Sequence, residues 1–564
     1  MTADPVPGRS GAAVAGRAVE VYRRTAGGTW ALGTGVLLDG GLVLTAAHVV
    51  AGGAPEDTSG TGAPDDASGA AGPPDTGEDT GAGQSAGILV RVPGDHGGPW
   101  TCALLWHRHD RPAGTGLDAA LLRVTDSRFR LPTGLPRLRW GRFTGRTGTR
   151  RVEGVGFPAG MDLRTGGRLA FRDTAQFTGE ITPGSRVKAG RHEITVHTPV
   201  PPVPPGAAAP PGRAVSRWRG MSGGGVMCEG LLVAVVVVDP GDPAGGALTA
   251  VPVEAVLADP VASRLLGGVR AESVELARVV SPPPSLSRTP AGLLRAEATP
   301  VGCHGRDDMI GELVRWCAEP ARFALRLLTA PGGEGKSRLG REIVERLTDL
   351  GWAAGFLDEQ CPDGLLAPLA HLSTPLLLVL DYAETRTGQL RSCLRALGSD
   401  HHGENHVRLL LLARGAGEWW TRARVVDRAL RDLPPGSVRE LPPLAPDIAA
   451  RQEVFTRAAE ALAPALAALP GAAGASPGTE GSDRRGPNHR GWRGRATPVR
   501  WPCIWRRSRL SCGRPGRRPA TGRPPGTGRD ARRRPCSSTR STTGSGPPPP
   551  TASPICIRPP CASS

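Results

Sequence analysis

The hydrophobic rhythm of the chain changes near residue 300, and that change constrains the fold more than any other feature. Before it, short apolar runs alternate with glycine turns, as in Val19-Glu20-Val21-Tyr22 and Gly35-Val36-Leu37-Leu38-Asp39-Gly40-Gly41-Leu42-Val43-Leu44, and similar runs recur to about residue 255. Strand side chains repeat every two residues and tight turns favour glycine, so an all-β domain of antiparallel strands is expected over 15–260. After residue 300, apolar runs alternate with amphipathic stretches. Strands are expected over 324–329, 352–357, 376–380 and 409–412, with helices over 337–350 and 447–462. Such alternation puts helices on the faces of a parallel sheet, giving an α/β domain over 300–470. At 564 residues the chain has room for both, because single cores rarely grow past about 250 residues.

Three stretches carry neither rhythm. Residues 52–86 are a Gly/Ala/Asp/Pro tract that cannot bury a core and reads as a disordered surface insertion in the first domain. Residues 261–299 mix a short helical segment with Ser281-Pro282-Pro283-Pro284-Ser285 and read as a linker. From 471 to 564 the composition collapses to Arg, Pro, Gly, Ser, Thr and Cys.

That tail explains the net charge of +17. From Ser482 onward there are 19 Arg against Asp483 and Asp530, which leaves the preceding chain close to neutral. Two origins fit it. A genuine disordered tail would bind nucleic acid through Arg clusters interleaved with Trp501 and Trp505, whereas a GC-rich gene translated out of frame yields the same composition. Codons can be chosen for Val499 to Leu510 whose shifted reading is Ser-Val-Ala-Leu-His-Met-Ala-Ala-Leu-Ala-Ala, a good helix; Trp501-Pro502 forces one of its alanines.

No basic segment followed by an apolar one opens the chain, and the longest apolar run, Leu231 to Val238, is too short to cross a bilayer. Before residue 470 the cysteines are Cys102, Cys228, Cys303, Cys317, Cys361 and Cys393, without framework or metal-ligand spacing. The expectation is a soluble, cytoplasmic protein with no membrane partner.

Acyl transfer by a serine needs a base for the hydroxyl proton, a carboxylate to orient that base, and amides for the oxyanion. Candidates occur in the order His, Asp, Ser. His48 follows the apolar run ending Leu44-Thr45-Ala46-Ala47, Asp118 opens Asp118-Ala119-Ala120-Leu121-Leu122, and Ser222 sits in Gly220-Met221-Ser222-Gly223-Gly224. Alone, a His beside a strand is more often structural and the glycine run could be a turn; the three together make a constellation.

At these residues the chain resembles the trypsin-like serine proteases, through Thr-Ala-Ala-His, Asp-hydrophobic-Ala-Leu-Leu and Gly-x-Ser-Gly-Gly in sequence over about 15–260. The resemblance implies a double β-barrel, with Ser222 as nucleophile, His48 as general base and acid, Asp118 as its orienting partner, and the amides of Gly220 and Ser222 as the oxyanion hole. A protein or peptide is then the substrate. Two positions depart from the family pattern. Gly225 stands where Pro is commoner, and Ser216 stands where an Asp would select Arg or Lys, so trypsin-like preference is not implied.

In the second half, Ala330-Pro331-Gly332-Gly333-Glu334-Gly335-Lys336-Ser337 follows an expected strand and opens an expected helix, the context a phosphate-cradling loop requires. Gly332, Gly333 and Gly335 let amides approach phosphates. Lys336 is one of only two lysines in an Arg-rich chain, the other being Lys188; a compact ammonium suits the β- and γ-phosphates better than an Arg fork. The buried run Leu376 to Leu380 ends in Asp381, suited with Ser337 to the Mg²⁺ of a bound ATP. Glu384 could polarise an attacking water or be a solvated loop acid, and Arg414 could sense the γ-phosphate or cap the sheet edge.

With Gly305-Arg306-Asp307 ahead of the loop, residues 300–465 resemble the STAND branch of AAA+-related P-loop ATPases. The resemblance implies ATP and Mg²⁺ as cofactors and a nucleotide-dependent switch that opens or oligomerises. The expected whole is an intracellular serine endopeptidase gated by an ATP-binding switch in signalling or defence. The alternatives are an ATP-driven scaffold carrying a non-cleaving recognition domain, or a truncated product without function.

Overall fold

A computed structural model describes residues 16–25, 30–51, 87–95, 97–110, 115–165, 168–203, 216–238, 245–282, 289–293, 301–398 and 405–469. The insertion expected at 52–86 and the tail expected from 471 lie outside the described residues.

Strands β1 (Ala18–Arg24), β2 (Trp30–Leu37), β3 (Leu42–Thr45), β4 (Ile88–Arg91), β5 (Trp100–His109) and β6 (Asp118–Val124) close a barrel in the order β1-β2-β3-β6-β5-β4. Every pairing is antiparallel, and Val19, Val21, Val43 and Leu121 are fully buried. A second set follows: β7 (Trp140–Arg142), β8 (Arg150–Gly156), β9 (Asp162–Thr165), β10 (Arg168–Arg172), β11 (Ala175–Ile181), β12 (His192–Val196), β13 (Gly225–Cys228), β14 (Leu231–Val238), β15 (Ala247–Pro252) and β16 (Ala271–Ser273). Of these, β13-β8-β11-β12-β15-β14 close on themselves through a β13–β14 pairing around Phe177, Ile181 and Ile194, while β7 and β16 extend from β14 in parallel. Two closed six-stranded antiparallel barrels fit the trypsin-like double barrel expected for the first half. Closure removes the exposed edges that alternating strands otherwise present. The hairpin β9–β10 stands apart as a two-stranded sheet.

The second half is a five-stranded parallel sheet of β17 (Phe323–Thr329), β18 (Ala353–Phe356), β19 (Leu376–Leu380), β20 (Val407–Ala413) and β21 (Val438–Glu440), ordered β18-β19-β20-β17-β21. Its central strands are buried on both faces, which explains their unbroken apolar runs. Leu378 and Leu409 go to one core, Leu377 and Leu410 to the other. The helix Lys336–Asp349 covers the second core with Leu339, Ile343 and Leu347, spaced one turn apart, beside Ile310 and Leu313 of the helix Asp307–Cys317. Each such fully buried side chain contributes about 1.5–3 kcal/mol. The four strands and the first helix expected here fall within one or two residues of expectation, while the last helix runs over Ile448–Ala467, and β21 and the helices Asp307–Cys317, Thr387–Leu397 and Glu418–Val426 were not foreseen.

The expectation of a linker over 261–299 is corrected for its first part. Residues 260–265 form a helix capped by Asp259, which accepts from the amides of Val261 and Ala262 at 2.9 and 3.0 Å, and β16 joins the second barrel's sheet. Leu276 and Val279 belong to the core of the parallel sheet. The prolines from Pro282 onward suggested a spacer, but the apolar residues just before them gain more from burial than from solvation. The two halves therefore share a joint. Asp358 N donates to Val279 O and Ser281 N to Phe356 O, both at 2.9 Å, and Ser373 donates to Thr144 O through its amide (2.8 Å) and hydroxyl (2.6 Å). Arg270 grips Asp349 at 2.5 and 2.9 Å.

Gly355 on β18 lies in this joint, and a Cβ there would stand 2.6 Å from Val280 Cγ1 and 2.9 Å from Val280 Cβ. A stiff β-branched neighbour cannot swing aside, so Gly355→Ala is expected to destabilise the chain by about 1–3 kcal/mol. A denaturant midpoint equal to that of the unchanged chain would show that the joint carries no such packing.

Candidate active site and phosphate loop

β3 pairs with β6 so that Thr45 faces Ala120, and the turn leaving β3 begins the short helix Ala47–Ala51. This register delivers His48 to Asp118, two residues before Ala120. The His48 amide donates to Asp118 Oδ1 at 3.1 Å, and His48 Nδ1 lies 2.7 Å from Asp118 Oδ2. The Asp118 side chain is 4% exposed and that of His48 20%, so the carboxylate is covered while the imidazole keeps an open edge. Burial by itself raises the Asp118 carboxyl; the hydrogen bond and charge of His48, its amide, and the charge of His109 outweigh it and hold the group below its usual range. His109 is the cross-strand partner of Asp118, with its ring 6.5 Å from that of His48.

The turn bearing Ser222 is fixed by its carbonyls. Arg219 O accepts from Ala159 N (2.7 Å), Gly220 O from Thr34 Oγ1 (2.8 Å), and Ser222 O from Thr34 N (2.8 Å). The amides of Met221, Gly223 and Gly224 are spent on Trp218 O, Val236 O and Met221 O. Among the described residues, those of Gly220 and Ser222 have no acceptor. The two amides named for the oxyanion are thus the ones the turn leaves unpaired. Gly223 has φ +94°, and a Cβ there would meet Thr34 O at 1.8 Å and Thr45 Oγ1 at 2.3 Å, so glycine is required both by conformation and by space.

The Ser222 and His48 turns meet over β2: the point a Cβ of Gly33 would occupy is 2.6 Å from the Val49 side chain and 3.2 Å from Ser222 O. The Ser222 hydroxyl itself donates to Val237 O at 3.2 Å. Sequence reasoning missed Thr34, which is fully buried and also accepts from Phe157 N at 3.0 Å. Its one signal is a threonine between two glycines inside a strand. Half-buried Ser216 brings no carboxylate, and Gly225 opens β13 opposite Val235.

In the parallel sheet the glycine-rich loop joins the C-terminal end of β17 to the helix Lys336–Asp349. Gly333 and Gly335 have φ +93° and +85°, and nothing lies within 4 Å of a Cβ built on them or on Gly332. Lys336 Nζ donates to Ala330 O (2.6 Å) and Pro331 O (3.0 Å), and Ser337 Oγ donates to Asp381 Oδ2 at 2.6 Å. Burial pulls the Lys336 ammonium below its usual pKa; Asp381 and Glu384 oppose that and Arg414 reinforces it. Glu384 Oε1 accepts from the Arg414 amide at 3.3 Å, Glu384 Oε2 is buried with no partner among the described residues, and Arg414 is exposed. The structure thus brings Lys336, Ser337, Asp381, Glu384 and Arg414 to one end of the sheet. Buried Arg306 reaches the same loop, donating to Glu334 O at 3.0 Å and Pro442 O at 2.7 Å.

Among the described residues there is no cluster of three or more His, Cys, Asp or Glu able to hold a metal, and no helix long and apolar enough to cross a membrane. No family model and no curated protein matches the sequence. Among solved structures the chain is similar to the active form of the Rv3671c protease from M. tuberculosis, at 16% identity and a TM-score of 0.27 over 49% of this chain and 92% of that one. It is also similar to the scabies mite inactivated protease paralogue S-I1, at 17% identity and a TM-score of 0.26 over 43% of this chain and 92% of that one.

Asp118 has a lower pKa folded than unfolded, so its contribution to stability is complete above the unfolded value of about 3.9 and is lost as pH falls through the folded value. Asp118→Asn should therefore lower the denaturant midpoint at pH 7, with the gap to the unchanged chain narrowing below about pH 4. A gap that stays constant from pH 7 to pH 3 would contradict this assignment.

Proposed function

We propose that the chain is a serine endopeptidase acting through Ser222, His48 and Asp118, and that its parallel-sheet half is an ATP-binding switch that gates it. One observation carries the first part: a buried carboxylate grips an imidazole at 2.7 Å, and the turn that bears Ser222 leaves the amides of Gly220 and Ser222 unpaired among the described residues.

In this reading a rotation of the Ser222 side chain carries Oγ from the Val237 carbonyl to His48 Nε2, which takes its proton as Oγ attacks the scissile carbonyl. Asp118 accepts from His48 Nδ1–H, which fixes the tautomer and stabilises the imidazolium. The amides of Gly220 and Ser222 receive the oxyanion, held ready because the neighbouring carbonyls are already bonded. His48 then returns the proton to the leaving amine, and water repeats the sequence on the acyl-enzyme. A neutral, half-buried Ser216 supports a preference other than basic side chains.

The phosphate loop supports the second part. Open space over three glycines, an ammonium at the helix start, a hydroxyl–carboxylate pair and an orphaned Glu384 oxygen fit a nucleoside triphosphate with Mg²⁺. Lys336 and the amides of Gly333 and Gly335 would hold the phosphates, Ser337 and Asp381 the Mg²⁺, and Glu384 a water; Arg414 stands at the rim. ATP bound there supplies charge that orders the loop. The hydrogen-bonded joint between the halves supports transmission to the protease, with nucleotide-dependent self-association as one outcome. Six free cysteines among the described residues support a reducing, cytoplasmic setting, and the union of the two modules supports a role in signalling or defence.

The Ser222 hydroxyl turned toward Val237 O favours a second reading, a recognition domain that binds peptides without cleaving them. A fluorophosphonate probe separates the two. Labelling and casein hydrolysis are expected in the full chain and absent in Ser222→Ala, and Asp118→Asn is expected to lower kcat by roughly 10³–10⁴-fold. Labelling identical in Ser222→Ala would leave only the recognition reading. For the switch, Lys336→Ala should weaken binding of a fluorescent ATP analogue by at least about tenfold, about 1.4 kcal/mol. Protease labelling indifferent to both ATP and this substitution would reject gating.

A further inference from the structure

The hairpin β9–β10 belongs to neither barrel, yet its base reaches the turn that carries Ser222. Asp162 opens β9 and Arg172 closes β10, directly opposite each other in register. Arg172 Nε and Nη2 donate to Asp162 Oδ1 and Oδ2 at 2.5 and 3.2 Å, and each side chain is 7% exposed. The third arm of the fork leaves this pair. Nη1 lies 3.4 Å from Phe157 O and 2.8 Å from the point a Cβ of Gly220 would occupy, with Phe157 O itself 2.6 Å from that point.

The consequence follows from peptide geometry. In a trans peptide the C=O and N–H point in opposite directions. Arg219 O is bonded to Ala159 N at 2.7 Å, so the Gly220 N–H faces away from Ala159, and a 180° flip of that peptide would cost this bond. The guanidinium packs on the one flank of Gly220 that has no side chain to hold it, and its bond to Phe157 O steadies the strand exit that presents Ala159. It also sets a cation beside the Gly220 backbone, where negative charge develops during acyl transfer. Barrel one contributes to the same cluster: buried Glu20 on β1 interacts electrostatically with Arg91, Arg172 and Asp162.

We propose that Arg172, clamped by Asp162, is a positioning residue that holds the Gly220 amide in its oxyanion-accepting orientation, making the β9–β10 hairpin part of the catalytic apparatus. This rests on the serine-hydrolase reading of the site. Arg172 touches no reacting atom; it acts through the 219–220 peptide.

The test uses the full chain with fluorescein-labelled casein for kcat and KM, a fluorophosphonate for the rate of Ser222 labelling, and thermal melting. Arg172→Met and Asp162→Asn are each expected to lower kcat and the labelling rate by at least about tenfold, with KM changed less than about twofold, because only the transition state uses the oriented amide. The double substitution should be no worse than Arg172→Met alone, since the pair acts as one unit. Arg172→Lys keeps a cation but not the fork, and is expected to recover part of the kcat loss. Should Arg172→Met fail to fold, Asp162→Asn and Arg172→Lys carry the same comparison. A kcat within threefold of the unchanged chain in Arg172→Met or Asp162→Asn, or a loss confined to KM, overturns the proposal. Absence of Ser222-dependent turnover in the unchanged chain overturns the hydrolase reading itself, and the role of Arg172 falls with it.

Discussion

Thr34 is the hinge pin of the double-barrel half. From inside β2 of the first barrel it donates through its amide to Ser222 O and through its hydroxyl to Gly220 O, while the hydroxyl accepts from Phe157 N and its carbonyl accepts from Thr45 Oγ1. One buried residue therefore ties the serine turn, the end of β8 and the strand leading to His48. Each barrel holds part of the candidate site, and the parts meet only when the barrels dock in one register. A buried polar network of this kind is costly if any member is unpaired, and that cost specifies a single arrangement.

The serine turn shows how hydrogen-bond accounting makes a site. A buried amide or carbonyl without a partner is expensive, so a fold normally pairs all of them. Here the turn pairs the carbonyls of Arg219, Gly220, Met221 and Ser222 and three of its amides, and what is left over among the described residues is the amides of Gly220 and Ser222. Pre-spent carbonyls keep that pair from relaxing onto the turn itself. The glycines are explained by the same crowding: Gly223 is pressed against Thr34 and Thr45, and Gly220 against Phe157 and Arg172.

The joint between the halves gives the chain a character that neither half has alone. Residues 274–281 leave the second barrel and enter the core and backbone bonding of the parallel sheet without a free stretch between. β16 pairs with β7, and β7 with β14, whose Val237 carbonyl faces the Ser222 hydroxyl. The glycine-rich loop follows β17 of the same sheet, with β20 between β17 and β19.

The sequence by itself determined the two rhythms, and with them an antiparallel all-β first half, a parallel sheet and the limits of four of its five strands to within two residues, because apolar period and turn residues are local properties of the chain; the double barrel was implied by the resemblance. It also supplied His48, Asp118, Ser222 and Lys336, since their types and neighbours are chemically demanding. It misjudged 261–280 as a linker, because the partners that bury Leu276 and Val279 lie some eighty to a hundred residues away. Tertiary structure alone decided which amides stay unpaired, what Thr34 ties together and what Arg172 touches. Those facts depend on contacts across separations such as the 186 residues between Thr34 and Gly220, and no local pattern encodes a contact that exists only once two barrels have met.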